Sequence, residues 1–316
     1  MKKVLILFGE KDWNGPAFAD MTSGYTLCYE YLYELANQHG IQLYRASYKW
    51  YDNKNNIFLY VWTYKNGSWI RDYNIKPDLI YDKTSSKSET DLFKSSLNEI
   101  FPLINDVEFT NLIDNKLFTS LLFPQHTKKH YKALNITDLK SILQSIKTEK
   151  VVLKTSSDSG GKNVYILQKN EIDNVELPFP ILAQEFIDST NGITGITDSV
   201  HDLRLVFIEN DLIYSYIRIP KKGSFLANLS QGGSMKILQN EQLPTSVNTL
   251  VTDVQNTLST FKNKIYTIDL MFDENQKPWL IELNSMPGLF FTEKQFEERE
   301  RVYTAIIELF KKTLSS

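Results

Sequence analysis

The stretch "IDLMFDENQKPWLIELNSMPGL" (residues 268–289) is typical of a β-hairpin, because two apolar runs flank the turn-forming tripeptide Asp-Glu-Asn. In such a hairpin Asp269 can lie across from Glu282, and the period of two along a strand places Glu282 and Asn284 on one face. Buried carboxylates need a basic side chain or a hard cation, and Mg²⁺ prefers oxygen ligands. On this stretch alone, a solvent-facing hairpin with salt bridges is an equal alternative.

The composition is that of a globular protein without a strong charge. Its 316 residues, 42% of them hydrophobic and 13% aromatic, are enough for several sub-domains with sizeable cores. A net charge of −3 and a pI near 5.9 give no overall field for binding nucleic acid or an anionic membrane, so neither is an expected partner. Cys28 is the only cysteine, which excludes an intrachain disulfide and favours a reducing compartment.

Residues 1–105 are predicted to form an α/β domain. The apolar run in "MKKVLILFG" is too short for a signal or membrane segment, so we interpret it as the first strand of a cytoplasmic protein. A helix containing Cys28 and a second strand follow, without the G-x-G-x-x-G motif of dinucleotide-binding folds. Further on, Asn66-Gly67 between two strand-like runs predicts a hairpin with a type I′ turn.

The rest of the chain combines helices with antiparallel strands, so the fold class is α/β (α+β). Asp114 and Thr137 are predicted N-caps of two helices. Strands follow, with longer polar loops at residues 188–200 and 220–235 and a closing helix at about 292–313.

Two further motifs carry candidate chemistry. "VVLKTSSDSGGKNVYIL" (151–167) joins two strands through a Ser-Gly loop whose backbone N–H groups can approach phosphate oxygens, with Lys154 adding charge. It lacks the Walker A spacing, and a flexible turn is the alternative. "HDLRLVFIENDLIYSYIRIP" (201–220) places Arg204 and Arg218 on apolar strands, so each needs an anionic partner. That partner is either a phosphate or the carboxylates of Asp269 and Glu282.

In this order the motifs, with "NLIDNK", "ILAQEFID" and "LANLSQGG" among them, resemble the ATP-grasp superfamily, in the branch of glutathione synthetase and the RimK-type ligases. The resemblance covers about residues 111–290 and implies an N-terminal pre-ATP-grasp domain (1–105), a central ATP-grasp subdomain (106–187) and a C-terminal subdomain with the metal hairpin (188–316). The cofactors it implies are ATP and Mg²⁺, for which Mn²⁺ can substitute.

The resemblance also assigns roles to individual residues. It implies catalytic roles for Arg204, Arg218 and Asn228, and metal ligation by Asp269, Glu282 and Asn284. The nucleotide-binding residues that it implies are Lys116, Lys154, Ser156, Ser157, Ser159, Gly160, Gly161, Gln184, Glu185, Phe186, Ile187 and Asp188.

The sequence departs from the family pattern at several positions. Thr155 stands where many relatives have proline, and the 188–200 loop is longer than in RimK-type enzymes. Lys83 occupies a place where relatives often have the arginine that contacts the acid substrate.

The resemblance implies an ADP-forming ligase that joins a carboxylic acid to an amine, such as an amino acid or peptide, through an acyl phosphate. Phosphoryl transfer needs positioning and charge neutralisation rather than a protein nucleophile. One alternative is an ATP-grasp kinase with Asp202 or His201 as the base, and another is a non-catalytic nucleotide-binding module. The acid, the amine and any homo-oligomer are left open.

Overall fold

The structure is a computed structural model of the chain. Three β-sheets with flanking helices make up the fold. The residues that it describes are 1–9, 18, 23–84, 88–156, 163–225, 227 and 232–315, without the side chains of residues 88 and 89.

The N-terminal sheet has seven strands in the order β3-β4-β2-β1-β6-β7, and β5 pairs with β4. Strand β1 is parallel to β2 and β6. At the predicted hairpin, Asn66 and Gly67 have φ values of 51° and 75°, the positive values that a type I′ turn requires. The elements are β1 (Lys2–Phe8), α1 (Gly24–Gln38), β2 (Ile41–Ser47), β3 (Tyr51–Asp52), β4 (Ile57–Lys65), β5 (Ser68–Ile75), β6 (Leu79–Asp82), α2 (Ser88–Asn98) and β7 (Leu103–Ile104).

The central sheet has four antiparallel strands in the order β10-β9-β11-β8. The elements in this part of the chain are α3 (Val107–Ile113), α4 (Lys116–Leu122), β8 (Tyr131–Ala133), α5 (Ile136–Ser145), β9 (Lys150–Lys154), β10 (Val164–Gln168) and β11 (Ile181–Glu185). Of these helices, α5 packs against β8 and β11 of the central sheet.

Both predicted N-caps are wrong, because the capping side chain belongs to a nearby asparagine. Asn115 has an extended backbone and accepts from Leu117 N at 3.0 Å, whereas Asp114 has helical dihedrals and ends α3. Asn135 caps α5, and Thr137 lies inside that helix.

The C-terminal sheet has five antiparallel strands in the order β14-β13-β12-β15-β16. The predicted hairpin is its β15–β16 pair, in which Asp269 faces Glu282 and a register shift follows. The closing helix begins at Phe296, after a 3₁₀ turn at 293–295, and ends at Ser315. The elements are β12 (Asp202–Ile208), β13 (Asp211–Ile219), β14 (Ser234–Leu238), α6 (Val247–Thr257), β15 (Ile265–Phe272), β16 (Pro278–Asn284) and α7 (Phe296–Ser315).

A shared core joins the N-terminal sheet to the C-terminal sheet. Buried residues of β1 and α1 pack with Val206 of β12 and with Ile307 and Phe310 of α7. Cys28 belongs to this core, with Sγ 3.1 Å from the Phe291 carbonyl oxygen. In the described parts of the chain, no helix is both long and apolar enough to cross a membrane.

The 188–200 loop folds back on itself and is attached to the turn of the β15–β16 hairpin. Ile193 N donates to Thr197 O at 2.8 Å, and the Ile193 side chain enters the core of the C-terminal sheet. Gln276 in the hairpin turn donates from Nε2 to Gly192 O at 3.3 Å and accepts from Thr194 N at 2.9 Å. The loop therefore fixes the turn of the hairpin that carries Asp269 and Glu282.

Two glycines of this loop offer a matched test of its packing. Gly192 and Gly195 both have positive φ, but a Cβ at Gly192 would lie 1.8 Å from Thr197 O, whereas a Cβ at Gly195 meets nothing within 4 Å. Gly195→Ala is expected to lower the free energy of unfolding by about 1 to 2 kcal/mol through backbone strain alone. Gly192→Ala adds a steric overlap worth roughly a further 1 to 3 kcal/mol. Equal losses in denaturant unfolding would contradict the observed packing of the loop.

Candidate active site

A cavity of about 110 Å³ lies between the central and C-terminal sheets. Most of its wall is apolar, and a few charged or amide side chains project into it. This is the usual chemistry of a cofactor site, but the volume is below the roughly 300 Å³ of typical small-molecule pockets. The lining residues are Lys116, Val152, Lys154, Val164, Ile166, Gln184, Phe186, Ile187, Ser189, Asp202, Phe225, Ala227, Met271, Ile281 and Glu282.

Strand periodicity explains which side chains of the central sheet reach the cavity. Val152 and Lys154 alternate on β9 and therefore share a face. Across the ladders, Ile166 and Gln184 both pair with Val152, so their side chains lie on the same side of the sheet. The face is apolar on β10 and becomes polar toward Lys154 and Gln184.

The two predicted nucleotide-binding lysines both line the cavity. Lys116 begins α4, and its Nζ lies 3.4 Å from Oε2 of Glu282, while its backbone N donates to Ser156 O at 2.9 Å. Burial, together with the nearby positive charge of Lys116, lowers the pKa of Lys154 to about 7. Near neutral pH, the Lys154 amine is therefore poised to gain a proton when an anion enters.

Nucleotide affinity is expected to fall with rising pH because of Lys154. Phosphates favour the ammonium form of Lys154, so the pKa of this amine is higher in the complex than in the free protein. Above about pH 7, nucleotide binding therefore requires the protein to take up a proton. Between about pH 7.5 and 9 the affinity should decrease by a factor approaching ten per pH unit. Calorimetry of ADP binding in buffers of different ionisation enthalpy measures this proton uptake. Lys154→Met should bind ADP weakly and without proton uptake. Uptake that persists in Lys154→Met would contradict the assignment.

Beneath the cavity lies a buried cluster of arginines and carboxylates. Arg204 Nε donates to Asp269 Oδ1 at 2.7 Å and its Nη2 donates to Oδ2, while Arg218 Nη2 donates to Asp269 Oδ2 at 2.7 Å and to Asp202. Asp269 is fully buried. Burial opposes its ionisation, but the two guanidinium groups outweigh burial and hold its pKa below the usual value. The sequence left open whether the arginines bind carboxylates or a phosphate, and the structure shows the contact with a carboxylate.

The donor set on β16 suits a hard cation. In the described residues no three histidine, cysteine or acidic side chains form a metal-binding group. Glu282 lines the cavity with its side chain 21% exposed, and Asn284, two residues along the strand, lies on the same face and accepts from Met286 N at 2.8 Å. One carboxylate and one amide oxygen fit Mg²⁺ when phosphates complete its coordination. Asp269 already serves the two arginines, so its role as a third ligand stays a prediction.

The remaining predicted residues fall into three groups. Gln184, Phe186 and Ile187 line the cavity, and their contact with a nucleotide stays a prediction. The carboxylate of Glu185 instead pairs with Lys128 at 3.6 Å, and that of Asp188 accepts from Thr190 N at 3.0 Å outside the cavity wall. Five lie outside the described residues: Ser157, Ser159, Gly160, Gly161 and Asn228.

Several side chains at the cavity were not identified from the sequence. Phe225 packs edge-on against Phe186 with a centroid distance of 5.2 Å, and Lys150 lies over both rings. Nothing local in "KKGSFLAN" signals this contact. Val152 could have been identified from the sequence, because it alternates with Lys154 along β9. Ile166 alternates in the same way with Val164 along β10.

The structure removes one of the two bases considered for a kinase. His201 is fully buried, its Nε2 accepts from Phe272 N at 3.2 Å, and its Nδ1 lies 3.1 Å from Ser199 O. Burial also lowers its pKa. Both ring nitrogens are thus occupied by backbone groups. Asp202 lines the cavity, with its pKa raised to about 7 by burial and with Arg218 bound to one oxygen.

Two residues from other parts of the chain hold the segment that follows the β15–β16 hairpin. Asp114 accepts from both the backbone N and Oγ of Ser285 at 2.7 Å. Lys83 donates to Pro287 O at 2.7 Å, and burial lowers the pKa of its amine to about 8. Its contact with an acid substrate stays a prediction.

Comparison with known proteins decides the family. The sequence model of the RimK-like ATP-grasp domain matches residues 115–302, which is more than half of the chain. The chain belongs to the RimK-like ATP-grasp family. The predicted superfamily and branch are therefore confirmed, and no curated protein sequence matches.

Solved structures confirm the ATP-grasp fold. D-alanyl-alanine synthetase A from Vibrio cholerae superposes with a TM-score of 0.69 at 14% identity, over 100% of this chain and 99% of that one. A RiPP-associated ATP-grasp ligase from Chryseobacterium gregarium, in complex with ADP and with a leader and core peptide, gives 0.64 at 12% identity over 99% and 97%. The macrocyclase MdnC from Microcystis aeruginosa, bound to its precursor peptide, gives 0.62 at 12% over 98% and 99%. The predicted enzyme class agrees with these ligases.

Proposed function

We propose that this RimK-like ATP-grasp protein is an ATP-dependent, ADP-forming ligase that joins a carboxylic acid to an amine through an acyl phosphate. The observation that carries the proposal is the charge at the polar end of an otherwise apolar cavity. Two buried lysines, Lys116 and Lys154, lie near Glu282 there, and so does Arg204. Arg218 binds the same carboxylate of Asp269 as Arg204. Positive groups arranged before the reaction are what phosphoryl transfer requires.

In this mechanism a substrate carboxylate oxygen attacks the γ-phosphorus and ADP leaves. The amine then attacks the acyl carbon, and inorganic phosphate leaves. Lys116 and Lys154 bind the nucleotide phosphates, and the apolar wall with Phe186 and Phe225 holds the base. Arg218 Nε is buried and has no hydrogen-bond partner in the described structure, so it can donate to a substrate oxygen.

Glu282 and Asn284 would hold Mg²⁺, which neutralises phosphate charge when it is bound. The catalytic role of Asn228 and the phosphate contacts of the Ser-Gly loop remain part of the proposal.

Binding of ATP is proposed to open the cavity. Its volume of about 110 Å³ is too small for a nucleotide. The central subdomain (106–187) and the C-terminal subdomain (188–316) would move apart by rotation about the connection at residues 185–188.

The N-terminal domain (1–105) would hold the acid substrate at the carboxyl edge of its sheet, where Lys83 lies. We place the reaction in the cytoplasm.

An amino acid or a short peptide is the proposed source of both the acid and the amine. The structural neighbours described with D-alanine or with leader, core and precursor peptides motivate this choice. A coupled assay of ADP release over amino acids and small peptides tests it. ADP release should require an acid and an amine together. ADP release with a hydroxyl compound alone would favour the kinase, and no release with any acceptor would favour a non-catalytic nucleotide-binding module.

A further inference from the structure

Ser285, which directly follows the proposed metal ligand Asn284, has its polar groups bound by two side chains from distant parts of the chain. Its backbone N and its Oγ both donate to the carboxylate of Asp114, each at 2.7 Å. Its carbonyl oxygen accepts from Nδ2 of Asn105 at 2.7 Å. Ser285 is 1% exposed and lies beyond the last ladder pair of β16, so side chains satisfy its polar groups in place of water or a neighbouring strand. They therefore fix the place at which the chain leaves β16.

The two side chains flank helix α3, which packs against β16. Asn105 lies two residues before the helix, and Asp114 follows its last residue. Asn105 is 3% exposed and also binds Ile265 at the beginning of β15, where its Nδ2 donates to the carbonyl oxygen at 2.7 Å and its Oδ1 accepts from the backbone N at 2.6 Å. Because β15 begins where β16 ends, the amide of Asn105 joins the two strands at the end of the hairpin opposite the turn.

The orientation of the Asn284 amide depends on the backbone that Ser285 begins. Oδ1 of Asn284 accepts from Met286 N at 2.8 Å. An amide oxygen has two lone pairs, so this bond leaves one of them for a cation. A displacement of Ser285 would move Met286 N with it, and the amide would lose the bond that sets its direction.

The junction between α3 and α4 reaches both proposed metal ligands. Lys116 Nζ lies 3.4 Å from Oε2 of Glu282. Two residues earlier in the chain, Asp114 binds the neighbour of Asn284. Asp114 does not itself line the cavity, so its effect on a bound ligand would pass through Ser285.

We propose that Asp114 and Asn105 are positioning residues for Mg²⁺, an inference that rests on the proposed binding of Mg²⁺-ATP. By fixing Ser285, they hold the amide of Asn284 in the orientation with which it would bind the cation together with Glu282. Removing a partner that orients a metal ligand changes metal affinity about 10- to 100-fold. The two side chains thus set the affinity for Mg²⁺ without binding it.

Mn²⁺ is the probe for this inference, because its electron paramagnetic resonance signal decreases when the ion is bound. Titration of the protein–ADP complex, corrected for Mn²⁺ held by free ADP, gives the affinity for the cation. Calorimetry in EDTA gives the affinity for ADP without metal. Asp114→Ala and Asn105→Ala should each weaken Mn²⁺ binding about tenfold. Neither variant removes a positive charge, so ADP binding without metal should not weaken.

Asp114→Asn separates position from charge. Asparagine keeps an oxygen that can accept from Ser285 N and an amide group that can donate to Ser285 Oγ, but it has no charge. It should therefore retain most of the Mn²⁺ affinity that Asp114→Ala loses. A loss as large as that of Asp114→Ala would show that Asp114 acts through its charge, which would overturn the positioning role.

The remaining outcomes separate this inference from the proposed function. Wild-type affinity for Mn²⁺ in the folded alanine variants, or equal losses of Mn²⁺ and of metal-free ADP binding, would overturn the inference while leaving ATP binding intact. If neither alanine variant folds in thermal melts, Ser285→Ala removes the Oγ bond alone, and an unchanged Mn²⁺ affinity in it would overturn the inference instead. No detectable binding of ADP to wild-type protein would contradict the proposed function itself.

Discussion

Replacing Glu282 with glutamine is expected to reduce ATP turnover at least about a hundredfold while leaving the fold intact. Glu282 is the acidic side chain of β16 that reaches the cavity, 3.4 Å from Lys116 Nζ and 3.9 Å from Arg204 Nη2. An amide keeps the shape but removes the charge that would hold Mg²⁺ against the nucleotide phosphates. Steady-state ADP release, with a thermal melt of each variant, measures both parts of the expectation.

The matched control for this change is Glu274→Gln in the turn of the same hairpin. Glu274 is exposed, so the same chemical substitution is made outside the cavity. Glu274→Gln should turn over ATP at the wild-type rate. If Glu282→Gln is also close to wild type, Glu282 does not belong to the catalytic site.

Asp269→Ala should produce the largest loss of stability, about 3 to 5 kcal/mol in the free energy of unfolding. Asp269 is fully buried and accepts from both Arg204 and Arg218. Removing its carboxylate leaves two guanidinium groups in the interior, with Asp202 and the more distant Glu282 as their remaining anions among the described residues. Uncompensated buried charge is costly because the low-dielectric interior cannot replace water.

Denaturant unfolding at neutral pH measures this loss. The control is Asp253→Ala, which removes a partly exposed carboxylate paired with His126 at 2.7 Å and should change stability far less. A similarly small change for Asp269→Ala would mean that water or a shift of the arginines compensates the cluster. The buried ion cluster would then not stabilise this end of the C-terminal sheet.

The sequence predicted the parts of the site that depend on strand periodicity. The hairpin at residues 268–289, the pairing of Asp269 with Glu282 and the need of Arg204 and Arg218 for anionic partners all follow from local pattern and charge, and all are observed. The predicted N-caps Asp114 and Thr137 were wrong because several cap-forming residues are adjacent, and tertiary contacts such as that of Asp114 with Ser285 decide among them.

The other parts of the site depend on contacts between distant elements. Phe225, in the segment between β13 and β14, meets Phe186, which directly follows β11. This contact leaves no periodic signal in the sequence. The sequence also left open whether the arginines bind Asp269 or a phosphate. The structure shows the first contact, and Arg218 Nε has no hydrogen-bond partner among the described residues.

Trapping of the activated acyl group by hydroxylamine tests the central claim most directly. Protein, Mg²⁺-ATP and the acid found by the ADP-release screen are mixed with hydroxylamine in place of the amine. We predict a hydroxamate in amounts that match the ADP released. Arg218→Ala should reduce trapping far more than it reduces ATP binding, because its partner is the charge of the reacting groups. A stable phosphorylated hydroxyl product without any hydroxamate would contradict the ligase and identify a kinase.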